Sequence, residues 1–195
     1  MNRVTNEKSM TVHIWQQKLN KSDIAQQDLI NSTNINAYDI LILQEPYIDF
    51  LGNTHANQKW YPVLPHDHRD NPKKSWSAIF INKCILSSTW QQIKVKSQDI
   101  VSVSINTKTG PITIFNIYNN KSHSDSLQAI WTILEGDAWN LKLIHTAKMI
   151  WAGDFNHHHP LWDEECNAHL FTTHNLNTAQ TLIDLLAYYS MTMML

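Results

Sequence analysis

The stretch Met149-Ile150-Trp151-Ala152-Gly153-Asp154-Phe155-Asn156 is an apolar run that ends abruptly on an acidic residue. Short apolar runs that stop at a turn signal are typical of strands buried on both faces, although a buried helix can give the same pattern. The short length of the run and the breaker Gly153 favour the strand. A carboxylate at the point where such a strand emerges is held rigidly and stays open to a ligand, as a metal-ion site requires.

A second run of the same construction lies upstream. In Asp39-Ile40-Leu41-Ile42-Leu43-Gln44-Glu45-Pro46, apolar and partly β-branched residues lead to an acid, and Pro46 halts the strand. Either acid taken alone is more often a solvated strand terminus, since Asp and Glu prefer the surface. The repeated construction favours two central strands that deliver Glu45 and Asp154 to one rim of the fold.

The composition is that of a soluble globular protein with one domain. The chain has 195 residues, of which 43% are hydrophobic, and this is enough to bury a core. The two cysteines, Cys84 and Cys166, lack Cys-x-x-Cys spacing, so neither a disulfide framework nor a structural zinc site is indicated. The formal net charge of −2 gives no global attraction to nucleic acid, and DNA binding would need a local basic stripe.

Nothing in the sequence predicts a membrane partner. No run approaches the roughly 20 apolar residues that span a bilayer, and the polar opening residues lack the apolar core of a secretory signal. We therefore expect an intracellular protein, with the nucleus as one option. The oligomeric state cannot be inferred from the residues.

The order of predicted elements is mixed. Residues 1–10 are expected to form a flexible tail and residues 11–195 a single domain. The helices are predicted from Ser22 to about Thr33, from Ser124 or Ser126 through Ala138, and from about Thr178 to Tyr189. The strands are predicted at 11–16, 39–45, 77–82, 100–106, 112–118 and 149–154, with a strand-like Trp60–Val63 inside a long variable loop at 49–75. This order suits two stacked sheets with helices outside.

Three motifs along the chain resemble the endonuclease/exonuclease/phosphatase superfamily. They are Gln44-Glu45-Pro46, Asn116-Ile117-Tyr118-Asn119, and Gly153-Asp154-Phe155-Asn156 followed by His158-His159-Pro160-Leu161-Trp162. Within the superfamily, the chain looks like the apurinic-like endonuclease domain of non-LTR retrotransposons from about Thr11 onward. The resemblance implies an α/β four-layer sandwich, in which two mixed β-sheets are flanked by helices as in DNase I. It also implies a DNA endonuclease that needs Mg²⁺ or Mn²⁺.

The resemblance implies a role for each site residue. Glu45 would hold the metal ion, Asp154 would orient or deprotonate the attacking water, and Asn156 would hydrogen-bond the phosphate. Tyr118 would contact the phosphate, with Asn119 as a companion. The chemistry agrees, since Mg²⁺ takes one or two carboxylates, keeps several waters and binds a substrate phosphate oxygen.

Histidines and basic residues beside these motifs have alternative interpretations. The run His157-His158-His159 does not predict a zinc site, because adjacent side chains diverge and zinc ligands come from spaced positions. The resemblance instead makes it a loop beside the site, in which His159 and Trp162 could contact DNA, although packing is the commoner role for such a tryptophan. A further basic cluster is either a solvated face or a set of phosphate contacts, and it comprises His66, His68, Arg69, Lys73 and Lys74.

Two departures from the family pattern affect the expected activity. In Gln17-Lys18-Leu19-Asn20, Lys18 occupies the position of a family asparagine; a charged lysine can neutralise a phosphate but cannot ligate a cation. The family carries its general-base histidine in a Ser-Asp-His segment after two further strands, and the sequence ends at Leu195, so we expect a C-terminally incomplete domain with weak or no activity. The alternatives are an inactive remnant that binds nucleic acid or a protein, and a phosphatase of sugar or lipid phosphates.

Overall fold

Two β-sheets lie face to face at the centre of the molecule, and α-helices cover their outer faces. The computed structural model describes residues 11–120, 125–136 and 148–194. The strands in these residues are β1 (Ile14–Lys18), β2 (Ile40–Gln44), β3 (Trp60–Val63), β4 (Ser77–Asn82), β5 (Trp90–Ile93), β6 (Ile100–Thr107), β7 (Gly110–Tyr118) and β8 (Lys148–Asp154). The α-helices are α1 (Asp23–Asn31), α2 (Asp125–Leu134) and α3 (Thr173–Tyr188).

Both sheets are mixed, and each contains one parallel pair. The first sheet has the order β1-β2-β4-β3, in which only β1 and β2 run parallel. The second has the order β5-β6-β7-β8, in which only β7 and β8 run parallel. The parallel registers pair Lys18 with Gln44 and Tyr118 with Asp154, so the carboxyl ends of these four strands stop at matching levels.

Apolar side chains fill three layers around the sheets. The layer between the sheets joins Ile42 and Ile79 of the first sheet to Val103 and Ile114 of the second. The outer face of the first sheet packs on α1, and that of the second packs on α2, which in turn contacts α3. A fully buried Ile or Leu contributes about 1.5–3 kcal/mol, so these layers dominate the stability. The arrangement confirms the predicted four-layer α/β sandwich of two mixed sheets.

Several element boundaries differ from the sequence predictions. Helix α1 begins after the predicted cap Ser22, whose hydroxyl accepts the Ala25 N–H at 3.2 Å, but it ends at Asn31. Helix α3 begins at Thr173, five residues before the predicted start, because the Thr172 hydroxyl caps it by accepting the Asn175 N–H. Strand β5 was not predicted, and the predicted tail 1–10, Ser124 and Ala138 lie outside the described residues.

Strand β8 is less buried than its apolar sequence predicts. Its residues are half-buried or exposed, because β8 lies at the edge of the second sheet in the described part of the chain, whereas β2 lies inside the first sheet and is fully buried. The prediction of two central strands was therefore right for β2 and wrong for β8. Residues 191–194, which follow α3, are irregular.

The long loop between β2 and β4 is held together by a buried histidine. The ring of His68 lies 2.7 Å from the Ser75 hydroxyl through Nδ1 and 2.7 Å from the Gly52 carbonyl through Nε2. His68 is thus a structural residue of this loop, and its inclusion among the candidate phosphate contacts was wrong. None of the helices in the described residues is long and apolar enough to cross a bilayer.

Candidate active site at the rim of the two sheets

Glu45 stands at the carboxyl end of β2 in a left-handed backbone conformation. Its φ is +51°, which costs about 1–2 kcal/mol for a residue with a Cβ. The strained turn is fixed on both sides, since the Glu45 N–H donates to the Trp76 carbonyl at 2.7 Å and its own carbonyl accepts the Lys21 N–H at 2.8 Å. The turn leaves the Glu45 side chain at the rim, 14% exposed.

Asp154 stands at the carboxyl end of β8, directly after a glycine that no other residue can replace. Gly153 has φ +145°, and a Cβ there would lie 1.8 Å from the Ile117 carbonyl oxygen of the neighbouring strand. The Asp154 carboxylate accepts the N–H of Asn156 at 3.0 Å, and Asn156 itself has φ +52°. Close packing on one side and this turn on the other therefore fix the direction of the Asp154 carboxylate.

Lys18 joins the two acids. Its ammonium nitrogen lies 2.7 Å from Asp154 Oδ2 and 3.2 Å from Glu45 Oε1. The hydrogen bond to Asp154 raises the pKa of Lys18 well above its ordinary value, against the effect of burial, and Glu45 adds to the rise. The structure thus brings Glu45, Asp154 and Lys18, which come from the two different sheets, together in one ion-pair cluster.

Tyr118 lies beside this cluster at the end of β7. Its ring stacks on Trp76 with centroids 5.1 Å apart and planes 11° apart. Burial raises the pKa of Tyr118, and the nearby Glu45 side chain raises it further. The phenol therefore stays neutral near pH 7 and acts as a hydrogen-bond donor.

Trp76 and Lys21 extend the site along the first sheet, and sequence reasoning missed both. The Lys21 ammonium lies 3.3 Å from the centroid of the Trp76 ring, in a cation–π contact. Burial lowers the pKa of Lys21, with an opposing effect from Glu45. A signal for Trp76 exists only once β2 and β4 are known to be antiparallel, because the residue before β4 then lies beside the end of β2.

Asn119 and Asn156 organise the loop after β8. Asn156 donates its side-chain amide to the Asn119 carbonyl at 2.7 Å. The buried Asn119 amide donates to the Phe155 carbonyl at 3.0 Å and to His157 Nε2 at 2.9 Å, and its oxygen accepts the Ser126 hydroxyl. A phosphate contact by Asn119, as expected from the sequence, would require one of these bonds to open, and its role stays a prediction.

Trp162 and His159 pack the same loop. The Trp162 indole N–H donates to the His157 carbonyl at 2.9 Å, and its ring lies against His159 with centroids 5.0 Å apart. In the described residues no three side chains among His, Cys, Asp and Glu form a metal-binding group. Contact of His159 or Trp162 with DNA stays a prediction.

A buried polar bridge beneath the rim sets the distance between the sheets. Gln44 donates to the Asn116 side chain at 2.7 Å, and Asn116 donates to the carbonyls of Leu43 and Ala78 at 2.9 and 2.8 Å. Nearer the rim, Gln16 of β1 donates to the Gly153 carbonyl at 3.0 Å. Gln44 Oε1 is buried without a hydrogen-bond partner, but the three bonds of Asn116 join the two sheets in a low-dielectric interior and so fix how the carboxylates meet.

The Endonuclease/Exonuclease/phosphatase family matches residues 19–164, a span that contains Glu45, Tyr118, Asp154 and Asn156. The chain belongs to the Endonuclease/Exonuclease/phosphatase family. Lys18 precedes the matched span by one residue. A search of curated proteins finds no match to the chain.

Three solved structures are similar to the chain. The endonuclease domain of TRAS1, a telomere-specific non-LTR retrotransposon, is 17% identical with a TM-score of 0.65, over 90% of this chain and 71% of that one. Humanized D. rerio TDP2 with 14 mutations is 11% identical with a TM-score of 0.47, over 87% and 78% of the two chains. D. rerio TDP2 complexed with single-strand DNA product is 14% identical with a TM-score of 0.43, over 82% and 64%. The likeness to the TRAS1 domain shows the DNase I-like fold.

The rim of this family member has the donors for a divalent cation. Two carboxylates, Glu45 and Asp154, converge on the Lys18 ammonium. Mg²⁺ prefers one or two carboxylates together with waters and a phosphate oxygen, and Mn²⁺ takes similar ligands. Glu45 and Asp154 therefore fit such an ion in chemistry, and Lys18 now lies between them.

Proposed function

We propose that the chain is a divalent-metal-dependent phosphodiester hydrolase that cuts DNA as an endonuclease. The observation that carries the proposal is the convergence of Glu45 and Asp154, from different sheets, on one cation position at the rim. Membership of the family and the fold likeness to the TRAS1 endonuclease domain support it. Phosphodiester hydrolysis needs charge neutralisation, an oriented water and donors for the phosphate oxygens, and the rim offers a group for each need.

Glu45 would hold the Mg²⁺ or Mn²⁺ ion, which when bound neutralises charge on the phosphate. Asp154 would orient the attacking water and accept its proton, and the N–H of Asn156 keeps its carboxylate in place. The neutral Tyr118 hydroxyl and the Asn156 amide would donate to phosphate oxygens. Lys18 would add positive charge on the side of the leaving group or the phosphate.

Basic side chains beside the rim support DNA as the substrate despite the net charge of −2. Lys21 donates to the Lys73 carbonyl at 3.3 Å, which brings the exposed Lys73 and Lys74 next to the Trp76 end of the site. Lys18 lies at the other end of the Trp76–Tyr118 stack, 5.7 Å from the Tyr118 ring centroid. This local basic stripe would contact backbone phosphates, and binding would weaken as salt rises.

Nicking of supercoiled plasmid with Mg²⁺ tests the proposal. Glu45→Gln and Asp154→Asn should each reduce the nicking rate about 100-fold or more, since each removes a group that acts on the reacting phosphate. The matched control is Asp184→Asn, the same change on the exposed face of α3, which should nick as the wild type does. Nicking that both site variants retain would refute the proposal.

A second candidate function is binding of nucleic acid without turnover. It is favoured by the Lys18 ammonium, which offsets one of the two acidic charges and leaves less negative charge for a metal ion. This candidate predicts salt-sensitive DNA binding and no nicking at any Mg²⁺ concentration. A phosphatase would instead hydrolyse small sugar or lipid phosphates and leave plasmid intact. Plasmid would then not inhibit the hydrolysis of the small phosphates.

A further inference from the structure

The pairing of β1 with its neighbours places Lys18 between the two carboxylates, so its position does not depend on the side-chain rotamer alone. Its strand neighbour Gln16 points to the same face of β1, because residues two apart on a strand share a face. Gln16 donates to the Gly153 carbonyl, one residue before Asp154, so β1 is joined to β8 immediately below the lysine. The register of β1 with β2 pairs Lys18 with Gln44, the residue before Glu45. The ammonium is therefore delivered to the space between the two carboxylates.

We propose that the Lys18 ammonium is a built-in cation that occupies the position between Glu45 and Asp154 and competes there with a divalent metal ion. The inference deepens the proposed function and rests on it for the identity of the competing ion. It also makes displacement of Lys18 a condition for metal binding.

The charges of the cluster support this competition. With Lys18 in place, the three groups sum to one negative charge, and a divalent ion at the same position would lie within a few ångströms of a positive ammonium. Without Lys18, two carboxylates face each other with no counter-ion, which is the arrangement that favours a hydrated divalent ion. Removal of the lysine should therefore increase metal affinity although no ligand is added.

Displacement of the lysine is physically possible because the side chain is only partly enclosed. Lys18 is 39% exposed, and a lysine carries its charge on a flexible four-carbon stem. A DNA phosphate that arrives with the metal ion could accept the ammonium and pull it away from the carboxylates. Metal and phosphate binding would then be coupled, with each favouring the other.

Mn²⁺ binding, measured by electron paramagnetic resonance without DNA, tests the inference directly. Lys18→Asn and Lys18→Met should bind Mn²⁺ at least about tenfold more tightly than the wild type, since each removes the competing charge. Lys18→Arg keeps the charge and should stay weak. Lys148→Asn is the matched control, because it makes the same charge change at the other end of β8, about 20 Å away by strand length. Neutral Lys18 variants with wild-type affinity would overturn the inference.

Thermal unfolding gives a second readout. The wild-type melting temperature should be the same in EDTA and in Mg²⁺, whereas Mg²⁺ should raise that of Lys18→Asn by linked binding to the folded state. Addition of Glu45→Gln to Lys18→Asn should abolish this rise. If the neutral variants do not fold, the wild type alone decides: a Mn²⁺ dissociation constant above about 0.1 mM supports the inference, and one in the micromolar range overturns it.

The outcomes separate the two proposals. If Lys18→Met, which adds no oxygen ligand, gains Mn²⁺ affinity but no variant nicks plasmid, the built-in cation stands and the endonuclease proposal fails. If the wild type nicks plasmid but the neutral variants gain no affinity, the endonuclease proposal stands and the built-in cation fails.

Discussion

The chain turns with positive φ angles at both ends of the sheets, but the residues that adopt these angles differ between the two ends. At the carboxyl ends of β1, β2 and β8, the chain turns through left-handed conformations at Asn20, Lys21, Glu45 and Asn156, all of which carry side chains. At the opposite end, the hairpin between β6 and β7 turns with Gly110 at φ +108°. Glycine adopts such conformations without strain, while the four rim residues pay for them. Apart from Gly153, the rim therefore has side chains at positions where stability alone would favour glycine, and such strained positions are common at functional sites.

The largest expected effect is the loss of stability from a substitution at the rim that removes no charged group. Gly153→Ala would put a Cβ 1.8 Å from the Ile117 carbonyl, so β7 and β8 could not stay paired at their ends. We expect a loss of at least about 4 kcal/mol in the free energy of unfolding, or no folded protein, in urea denaturation. Gly136→Ala is the control, since its nearest neighbours are 3.3 and 3.4 Å away, and it should change stability by at most about 1 kcal/mol.

Most strands of the two sheets, including the paired β7 and β8, could be predicted from the sequence. Apolar runs such as Ile40–Leu43 identify the strands, because their burial on both faces leaves an unbroken hydrophobic pattern. Strand β5 was not predicted, because Trp90-Gln91-Gln92-Ile93 is short and its two glutamines are exposed at the sheet edge. The early start of α3 was not predicted, because the helix begins where the Thr172 hydroxyl caps it and not where the apolar period begins.

The candidate site was predictable in part for a similar reason. Acids at the ends of apolar runs single out Glu45 and Asp154, and the structure brings them together. Their meeting across two sheets depends on Gln44 and Asn116, whose pairing is a long-range contact that no local pattern contains. The contact of Lys18 with both acids follows from the same packing. The sequence shows that Lys18 replaces a family asparagine, but it does not show that the lysine contacts Glu45 and Asp154.

A smaller effect is expected when the bridge beneath the rim is broken. Asn116→Leu would leave the Gln44 amide and the carbonyls of Leu43 and Ala78 without their partner, at a cost of about 3 kcal/mol. Asn106→Leu changes an exposed residue near the hairpin end of β6 and should cost less than about 0.5 kcal/mol. Equal losses for the two variants in urea denaturation would mean that the rim end is no more specified than the hairpin end.

The smallest predicted effect depends on pH. Burial, with a contribution from His158, lowers the pKa of His157 below 6.5, and its Nε2 accepts the Asn119 amide only while unprotonated. The unfolded chain therefore binds this proton more tightly, so the free energy of unfolding should fall as pH drops below 6.5. His157→Asn should remove at most about 1 kcal/mol of the loss between pH 7.5 and 5.5. An unchanged pH slope in the variant would contradict the assignment to His157.

The central claim is that Glu45 and Asp154 act as one unit at a shared cation position, and a double-mutant cycle on plasmid nicking tests it most directly. Groups that act as a unit lose most of their effect with the first substitution, so Glu45→Gln with Asp154→Asn should nick about as slowly as the slower single variant. Rate losses that multiply, as for two independent sites, would contradict the claim.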